Sequence, residues 1–175
     1  MPGPILTISP LRQADAAVLG PLHVQLWHAA YTGLLPQARL DGIDPERRTR
    51  IWEQYGQEHE VNGHTAAGSV VQVARDKSGT PIGWAAVGPP RDADAPSETE
   101  LWSLYVAQEH WGSGVAHTLI TTVLGERPAY LYVLQGNERA IRFYRRHGFT
   151  LDGATKLLDP DDGPRGGIEL RMVRG

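Results

Sequence analysis

The stretch Glu100-Leu-Trp-Ser-Leu-Tyr-Val-Ala-Gln-Glu-His-Trp-Gly-Ser-Gly-Val-Ala116 decides the fold. Its first seven residues are mostly apolar or aromatic, which is typical of a buried strand. Gly112 and Gly114 follow, and their missing side chains let a ligand approach the main chain closely. Apolar residues then recur at helical spacing over 115–123, and Gly125 suits a helix C-terminus. The stretch therefore predicts a strand leading into a helix N-terminus, where free N–H groups and the helix dipole favour a phosphate-bearing ligand.

The composition excludes several classes of function. With 175 residues, 41% of them hydrophobic, the chain suits one domain spanning 1–175. A net charge of -3 gives no broad attraction to nucleic acid or to a membrane surface. The chain has no cysteine, which excludes disulfides and thiolate chemistry, and its seven histidines show no spacing typical of a metal site. No leader or membrane-spanning pattern is visible, so we expect a cytoplasmic protein.

Hydrophobic periodicity and turn residues divide the rest of the chain into elements. In the first part of the chain they predict a strand at Ile5–Leu11, a helix from Gln13 to about Tyr31 with a break at Pro21, and a helix opened by Asp44 and Pro45. A loop at Gln57–Gly68, a hairpin of Ser69–Arg75 with Pro81–Val87, and a loop at Pro89–Ser97 follow. After the central stretch they predict a strand at Tyr130–Leu134, a helix at Asn137–His147, and closing strands at Phe149–Leu158 and Ile168–Val173. The strand–helix–strand at 100–134 requires a parallel crossover, whereas the other neighbours are mainly antiparallel. The predicted class is α/β (α+β), a mixed, mostly antiparallel sheet of about seven strands with helices on both faces.

Both glycine-containing motifs have simpler interpretations. Gly112 and Gly114 alone could serve only a tight turn; no Lys-Ser/Thr follows them as in a Walker loop, and a dinucleotide fingerprint would need a third glycine. In the second motif, 137–149, Asn137 and Tyr144 lie two helical turns apart and share a face. Asn137 suits a helix cap, which is compatible with ligand binding, and Tyr144 suits the edge of the core.

Taken together and in this order, the motifs resemble the GNAT family of acetyl-CoA-dependent N-acetyltransferases. The resemblance lies in Glu-Leu-x-x-Leu-Tyr-Val (100–106), Gly-x-Gly-x-Ala (112–116) and Asn-x-x-Ala-x-x-Phe-Tyr-x-x-x-Gly-Phe (137–149). The predicted element order also matches the family over nearly the whole chain. One residue departs from the pattern, because Trp111 stands where the family usually has Gln or Arg.

The resemblance implies a binding site for acetyl-CoA as co-substrate, with no metal. The family's donor-binding positions fall on two main-chain segments and one side chain: Leu104, Tyr105 and Val106 for the pantetheine and acetyl carbonyl; Trp111, Gly112, Ser113, Gly114, Val115 and Ala116 for the pyrophosphate; and Asn137 for the pantetheine. The implied reaction is direct attack of an amine on the thioester, without a covalent enzyme intermediate. Tyr144 matches the family's general acid for the thiolate, and Glu100 is the predicted base, with a solvated carboxylate as the alternative.

The acceptor is less specified by the sequence. The candidates for an aromatic pocket wall are Trp27, Tyr31, Trp84 and Trp102, although aromatic residues at such spacings also build cores. Asp92, Asp94, Glu98 and Glu100 favour a cationic acceptor, unless they are only solvated. The expected partner is a small-molecule or peptide amine, without nucleic acid or membrane. One alternative stays open, a non-catalytic acyl-CoA sensor of the same fold; the missing third glycine and the late position of the motif argue against another, a nucleotide-binding domain with different chemistry. A homodimer is frequent in the family, and no sequence feature decides it.

Overall fold

The computed structural model describes residues 6–161 and 163–175. Its sheet contains seven strands: β1 (Thr7–Pro10), β2 (Val70–Arg75), β3 (Pro81–Gly88), β4 (Glu100–Val106), β5 (Ala129–Leu134), β6 (Thr150–Leu157) and β7 (Ile168–Arg174). The five helices are α1 (Ala16–Tyr31), α2 (Gln37–Asp41), α3 (Pro45–Asn62), α4 (Val115–Leu124) and α5 (Glu138–Arg146). The strand order is β1-β2-β3-β4-β5-β7-β6, and every neighbouring pair is antiparallel except β4–β5. The predicted fold class is confirmed.

Each face of the sheet carries its own hydrophobic layer. Alternate residues of β2 and β3 point to opposite faces, so that Val73 and Trp84 join one layer while Ala74 and Ala85 join the other. The first layer packs against α1 and α3 through Leu19, Leu26 and Trp52. The second packs against α4 and α5 through Leu119, Ile120, Ile141 and Tyr144. The predicted placement of helices on both faces is therefore confirmed.

The predicted break at Pro21 is wrong, because α1 continues through it to Tyr31. Pro21 lies in the second turn of the helix, where its missing N–H removes a single helical hydrogen bond. The preceding Gly20 lets α1 approach α3 closely, since a Cβ at that position would clash with Thr49. This close packing against α3 holds α1 together as one helix.

The predicted loop from Gln57 is also wrong over its first half, because α3 extends to Asn62. Its predicted start is confirmed, with Asp44 accepting the N–H of Glu46 and Pro45 in the first turn. Gly56 resembles a breaker in the sequence, yet it marks a close approach to the main chain of Gln13. The short helix α2 was not predicted.

The parallel pair β4–β5 separates soon after it forms. The two strands pair only at Glu100–Tyr130 and Leu101–Leu131. Immediately beyond, β4 contains a bulge, since its register against β3 shifts between the pairs Val87–Leu101 and Ala86–Ser103. The bulge bends β4 away from β5 and opens a wedge in the middle of the sheet.

None of the helices in the described part of the chain is long and apolar enough to cross a membrane.

Candidate active site between the separated strands

A cavity of about 650 Å³ fills the wedge between β4 and β5. Residues 101–106 of β4 form one wall, and residues 132–134 of β5 form the opposite wall. On one face of the sheet the cavity reaches α4 and α5, and on the other it reaches Leu26, Ala30 and Tyr31 of α1. The cavity therefore passes through the sheet and connects its two faces. The predicted pantetheine-binding segment, Leu104–Val106, lies along it.

The glycine turn lies at the mouth of the cavity on the α4 side. Gly112 (φ 77°) and Gly114 (φ 92°) both adopt the left-handed conformation that favours glycine, and a Cβ on either would meet no atom within 4 Å. No side chain caps α4, and the N–H of Thr118 makes the bond to the Gly114 carbonyl, at 3.0 Å. The N–H groups of residues 115–117 precede that bond and have no acceptor within the helix. This arrangement can bind an anion.

Trp111 anchors this turn to the end of β4. Its indole N–H donates to the Val106 carbonyl at 2.8 Å, and the guanidinium of Arg139 lies over its ring at 3.6 Å from the centroid. The stacking holds a cation of α5 beside the turn. Trp111 thus replaces a polar family residue with a side chain that fixes two elements at the cavity mouth.

Basic and N–H-donating side chains surround the same mouth, namely His110, His117, Arg139, Arg146 and His147. The rings of His117 and His147 join α4 to the end of α5 through an Nδ1 to Nε2 contact of 2.9 Å. Phosphate oxygens are negatively charged hydrogen-bond acceptors, so this end of the cavity suits them.

Asn137, which caps α5, and Tyr144 within α5 both line the cavity. Asn137 caps the helix, because its Oδ1 accepts the N–H of Ala140 at 3.2 Å, and it also lines the cavity. Tyr144 is 8% exposed, and its hydroxyl has no hydrogen-bond partner among residues 6–161 and 163–175. Burial raises the pKa of Tyr144, with Tyr31 adding to the rise and Arg139 opposing it. The hydroxyl therefore retains its proton at neutral pH and can donate it inside the cavity.

Glu100 lies outside the cavity, at the joined end of β4 and β5. It is completely buried, and its carboxylate pairs with the Arg91 guanidinium at 2.6 Å. It also accepts the Arg91 main-chain N–H and the Tyr130 hydroxyl, both at 3.0 Å. This position does not suit the base role predicted from the sequence, because the carboxylate is enclosed by its partners. Glu100 instead fastens the loop before β4 to the sheet.

The aromatic candidates for the acceptor pocket divide into two pairs. Tyr31 and Trp102 line the cavity. Trp84 does not, because it is 1% exposed within the α1–α3 layer and donates its indole N–H to the Ser103 hydroxyl at 3.1 Å. Trp27 also lies outside the cavity and packs edge-on against Tyr31. Trp84 is therefore a packing residue in this structure, whereas Trp27 lines a second cavity beside α2 and α3.

Within the predicted phosphate turn, two side chains face away from the cavity. Val115 is buried in the core, and the Ser113 hydroxyl donates to the His110 carbonyl at 2.6 Å. The prediction also missed residues that line the cavity, including Arg139 and Glu169. Arg139 stood in a recognised motif, whereas no local pattern marks Glu169. Among the described residues, no group of three or more His, Asp or Glu side chains could hold a metal ion.

A wedge that crosses the sheet, with an uncapped helix N-terminus at one mouth, has the shape and the donor groups that suit a long ligand carrying phosphate. The model of the acetyltransferase (GNAT) family matches residues 27–149, and the chain belongs to this family. Acetyl transfer from acetyl-CoA is the activity of the family. The resemblance inferred from the motifs is therefore confirmed.

Solved structures of the same fold cover nearly the whole chain. PaiA N-acetyltransferase from Thermoplasma acidophilum, in complex with coenzyme A, matches with a TM-score of 0.69 at 19% identity, covering 95% of this chain and 97% of that chain. Ribosomal-protein-alanine N-acetyltransferase from Brucella melitensis matches with 0.65 at 23%, covering 96% and 98%. A spermidine N-acetyltransferase SpeG chimera from Vibrio cholerae and hSSAT matches with 0.64 at 22%, covering 97% and 94%. Comparison with curated protein sequences gave no match.

Proposed function

We propose that this protein is an N-acetyltransferase that transfers the acetyl group of acetyl-CoA to a primary amine of a small molecule or peptide. The observation that carries this proposal is the cavity through the sheet, which runs from the uncapped N-terminus of α4 past Tyr144 to Tyr31. A donor bound from one face and an acceptor entering from the other would meet between β4 and β5. Because acetyl-CoA is an intracellular metabolite, the proposal implies a cytoplasmic location.

The donor would be held by main-chain groups and by the basic mouth. The free N–H groups at residues 115–117 and the cations around them suit the pyrophosphate. The pantetheine arm would follow Leu104–Val106, where the Val106 carbonyl already accepts the Trp111 indole. Since the Asn137 Oδ1 serves as the helix cap, its amide Nδ2 remains to donate to the pantetheine.

The reaction would be direct attack of the amine nitrogen on the thioester carbonyl. A C–N bond forms, the C–S bond breaks, and the departing thiolate takes the proton of the Tyr144 hydroxyl. Tyr144 suits this role because it is protonated, lines the cavity and has no other hydrogen-bond partner in the described part of the chain. The tyrosine regains its proton from the nitrogen of the tetrahedral intermediate, directly or through water.

Two of the structurally similar proteins are named for acceptors of different classes. One is named for spermidine, a small amine, and another for the alanine of a ribosomal protein. Both have under 25% identity to this chain, so they support a shared fold and leave the acceptor open between a small molecule and a peptide.

Thiol release from acetyl-CoA across a panel of amines tests the proposal. The chain has no cysteine, so a thiol-reactive dye would report coenzyme A without background from the protein. We expect amine-dependent release, and acetyl-CoA binding without turnover on any amine would favour a sensor instead. Tyr144→Phe should lower kcat by about a hundredfold or more, with the acetyl-CoA Kd nearly unchanged by calorimetry. Tyr55→Phe, on the surface of α3, is the matched control; an unchanged kcat in Tyr144→Phe would remove Tyr144 from the mechanism.

A further inference from the structure

Glu169 is a carboxylate that lines the cavity without a partner. It lies on β7, where it pairs in register with Leu134 on one side and Lys156 on the other. Leu134 belongs to the far wall of the wedge, so this register brings Glu169 to the cavity from the strand beyond. Among residues 6–161 and 163–175, no hydrogen bond or ion pair to its carboxylate is formed. A half-buried carboxylate without a partner is costly and is a candidate for function.

The other acids around this end of the cavity are all paired. The ion pairs are Arg91–Glu100 at 2.6 Å, Lys156–Asp92 at 3.7 Å, Arg171–Asp94 at 3.2 Å and Arg171–Asp152 at 2.7 Å. Three cations, Arg91, Lys156 and Arg171, therefore form ion pairs with four carboxylates, and Glu169 is a fifth carboxylate without an ion pair. Burial raises the pKa of Glu169, and Lys156 and Arg91 oppose the rise. The four paired acids lie outside the cavity lining, and Glu169 is the carboxylate of this set that lines the cavity.

Lys156 and Arg91 lie next to this part of the cavity, over the lining rings of Tyr132 and Trp102, whereas the α1 side of the lining is uncharged and largely apolar. Leu26 and Ala30 of α1 contribute aliphatic surface. The hydroxyls of Tyr31 and Tyr105 bond to each other at 2.8 Å, and burial raises the pKa of both, so both stay neutral. Arg139 is stacked on Trp111 near the phosphate-binding end, and its positive charge opposes the rise in the pKa of Tyr31.

We propose that Glu169 binds the ammonium group of the acceptor and takes its proton, and that the acceptor is a singly charged primary amine with an apolar body. The inference rests on the proposed function and adds the base and the substrate class. The ammonium gives one proton to the carboxylate, which leaves a neutral amine and a carboxylic acid. The amine lone pair then forms the C–N bond, and the second nitrogen proton replaces the one that Tyr144 gives to the thiolate. Glu169 releases its proton to solvent.

The restriction to one charge follows because Glu169 is the one carboxylate among the described residues that lines the cavity. A polyamine would bring further ammonium groups into the cavity, where no second carboxylate of the described residues lines the wall, so those groups would be desolvated without compensation. An α-amino acid would place its own carboxylate beside Glu169, and like charges repel in a partly buried site.

The test compares Glu169→Gln with wild type, using phenethylamine, spermidine and free tyrosine as acceptors. We expect wild type to prefer phenethylamine at least tenfold in kcat/KM. Glu169→Gln should lower this kcat/KM a hundredfold or more without changing the acetyl-CoA Kd. It should also remove the bend in the plot of kcat/KM against pH at acid pH that protonation of Glu169 causes in wild type. Glu169→Asp should restore part of the activity and the bend. Glu98→Gln, an exposed acid outside the cavity, is the matched control and should behave as wild type.

The outcomes separate this inference from the proposed function. No turnover by wild type with any amine would overturn the proposed function and the inference with it. Turnover by wild type with an unchanged kcat/KM and pH profile in Glu169→Gln would overturn the base role alone. A preference for spermidine or tyrosine would overturn the substrate class. If Glu169→Gln weakens acetyl-CoA binding by the same factor as it lowers kcat/KM, the residue supports the structure of the site in general, and its role in proton transfer is overturned.

Discussion

His23 makes the stability of this protein sensitive to acid. Its ring lies among Trp27, Trp52 and Trp84, with centroid distances of 6.0, 6.1 and 5.2 Å. Neither ring nitrogen has a hydrogen-bond partner among the described residues. Burial, with a smaller contribution from the positive charge of Arg48, lowers the pKa of His23 from 6.5 to about 3. The folded protein therefore keeps this imidazole neutral far below the pH at which the unfolded chain would charge it.

The size of the effect follows from the two pKa values of His23. Below pH 6.5 His23 is protonated in the unfolded chain, whereas in the folded chain it stays neutral down to about pH 3. The free energy of unfolding therefore falls with decreasing pH across that window. One pKa unit corresponds to about 1.4 kcal/mol, and pH 5 lies roughly 1.5 units below the unfolded value. His23 should therefore lower the free energy of unfolding by about 2 kcal/mol between pH 8 and pH 5.

His23→Phe keeps a ring in the aromatic cluster and removes the titrating group. We expect the loss of stability between pH 8 and pH 5 to shrink by about 2 kcal/mol. At pH 8 the variant should also be more stable, by about 1 kcal/mol or more, because two unpartnered nitrogens are replaced by apolar atoms. Urea unfolding followed by far-UV circular dichroism at pH 8, 6 and 5 measures both quantities.

His23→Gln separates titration from polarity at the same position. It cannot be protonated, but it still buries polar atoms, so it should show the flatter pH dependence without the gain at pH 8. If wild type and His23→Phe lose equal free energy of unfolding between pH 8 and pH 5, the argument from the buried neutral imidazole is refuted.

Two further predictions concern the ends of β4. Trp111→Phe removes the hydrogen bond from the indole to the Val106 carbonyl, worth about 1 kcal/mol. It should weaken acetyl-CoA binding by up to about tenfold in calorimetry. An unchanged Kd would show that this hydrogen bond does not order the glycine turn. Glu100→Gln breaks the ion pair with half-exposed Arg91 and should lower the free energy of unfolding by about 1–3 kcal/mol in urea, while kcat stays within about twofold. A hundredfold fall in kcat for Glu100→Gln would instead support the role of base that the sequence predicts for Glu100.

Local signals in the sequence were sufficient for most of the elements. The start of α3 could be predicted because Asp44 and Pro45 act on N–H groups within one turn of the chain. Strand β4 and helix α4 could be predicted because apolar periodicity and left-handed glycines act over the same short range. These signals failed at Pro21 and Gly56, where contact between α1 and α3, or with the segment before α1, outweighs a local preference against helix.

The candidate site shows the same division between local and long-range determinants. The glycine turn and Tyr144 belong to two short segments with characteristic residue spacing, so the sequence alone was sufficient to identify the family and, through it, the proposed donor. The acceptor end is different, because a carboxylate is available only if no cation reaches it. Glu100 meets Arg91, nine residues away along the chain, whereas Glu169 reaches the cavity through the pairing of β7 with β5. Only the tertiary structure could show which of these two acids is ion-paired and which lines the cavity, since pairing and burial depend on which strands become neighbours.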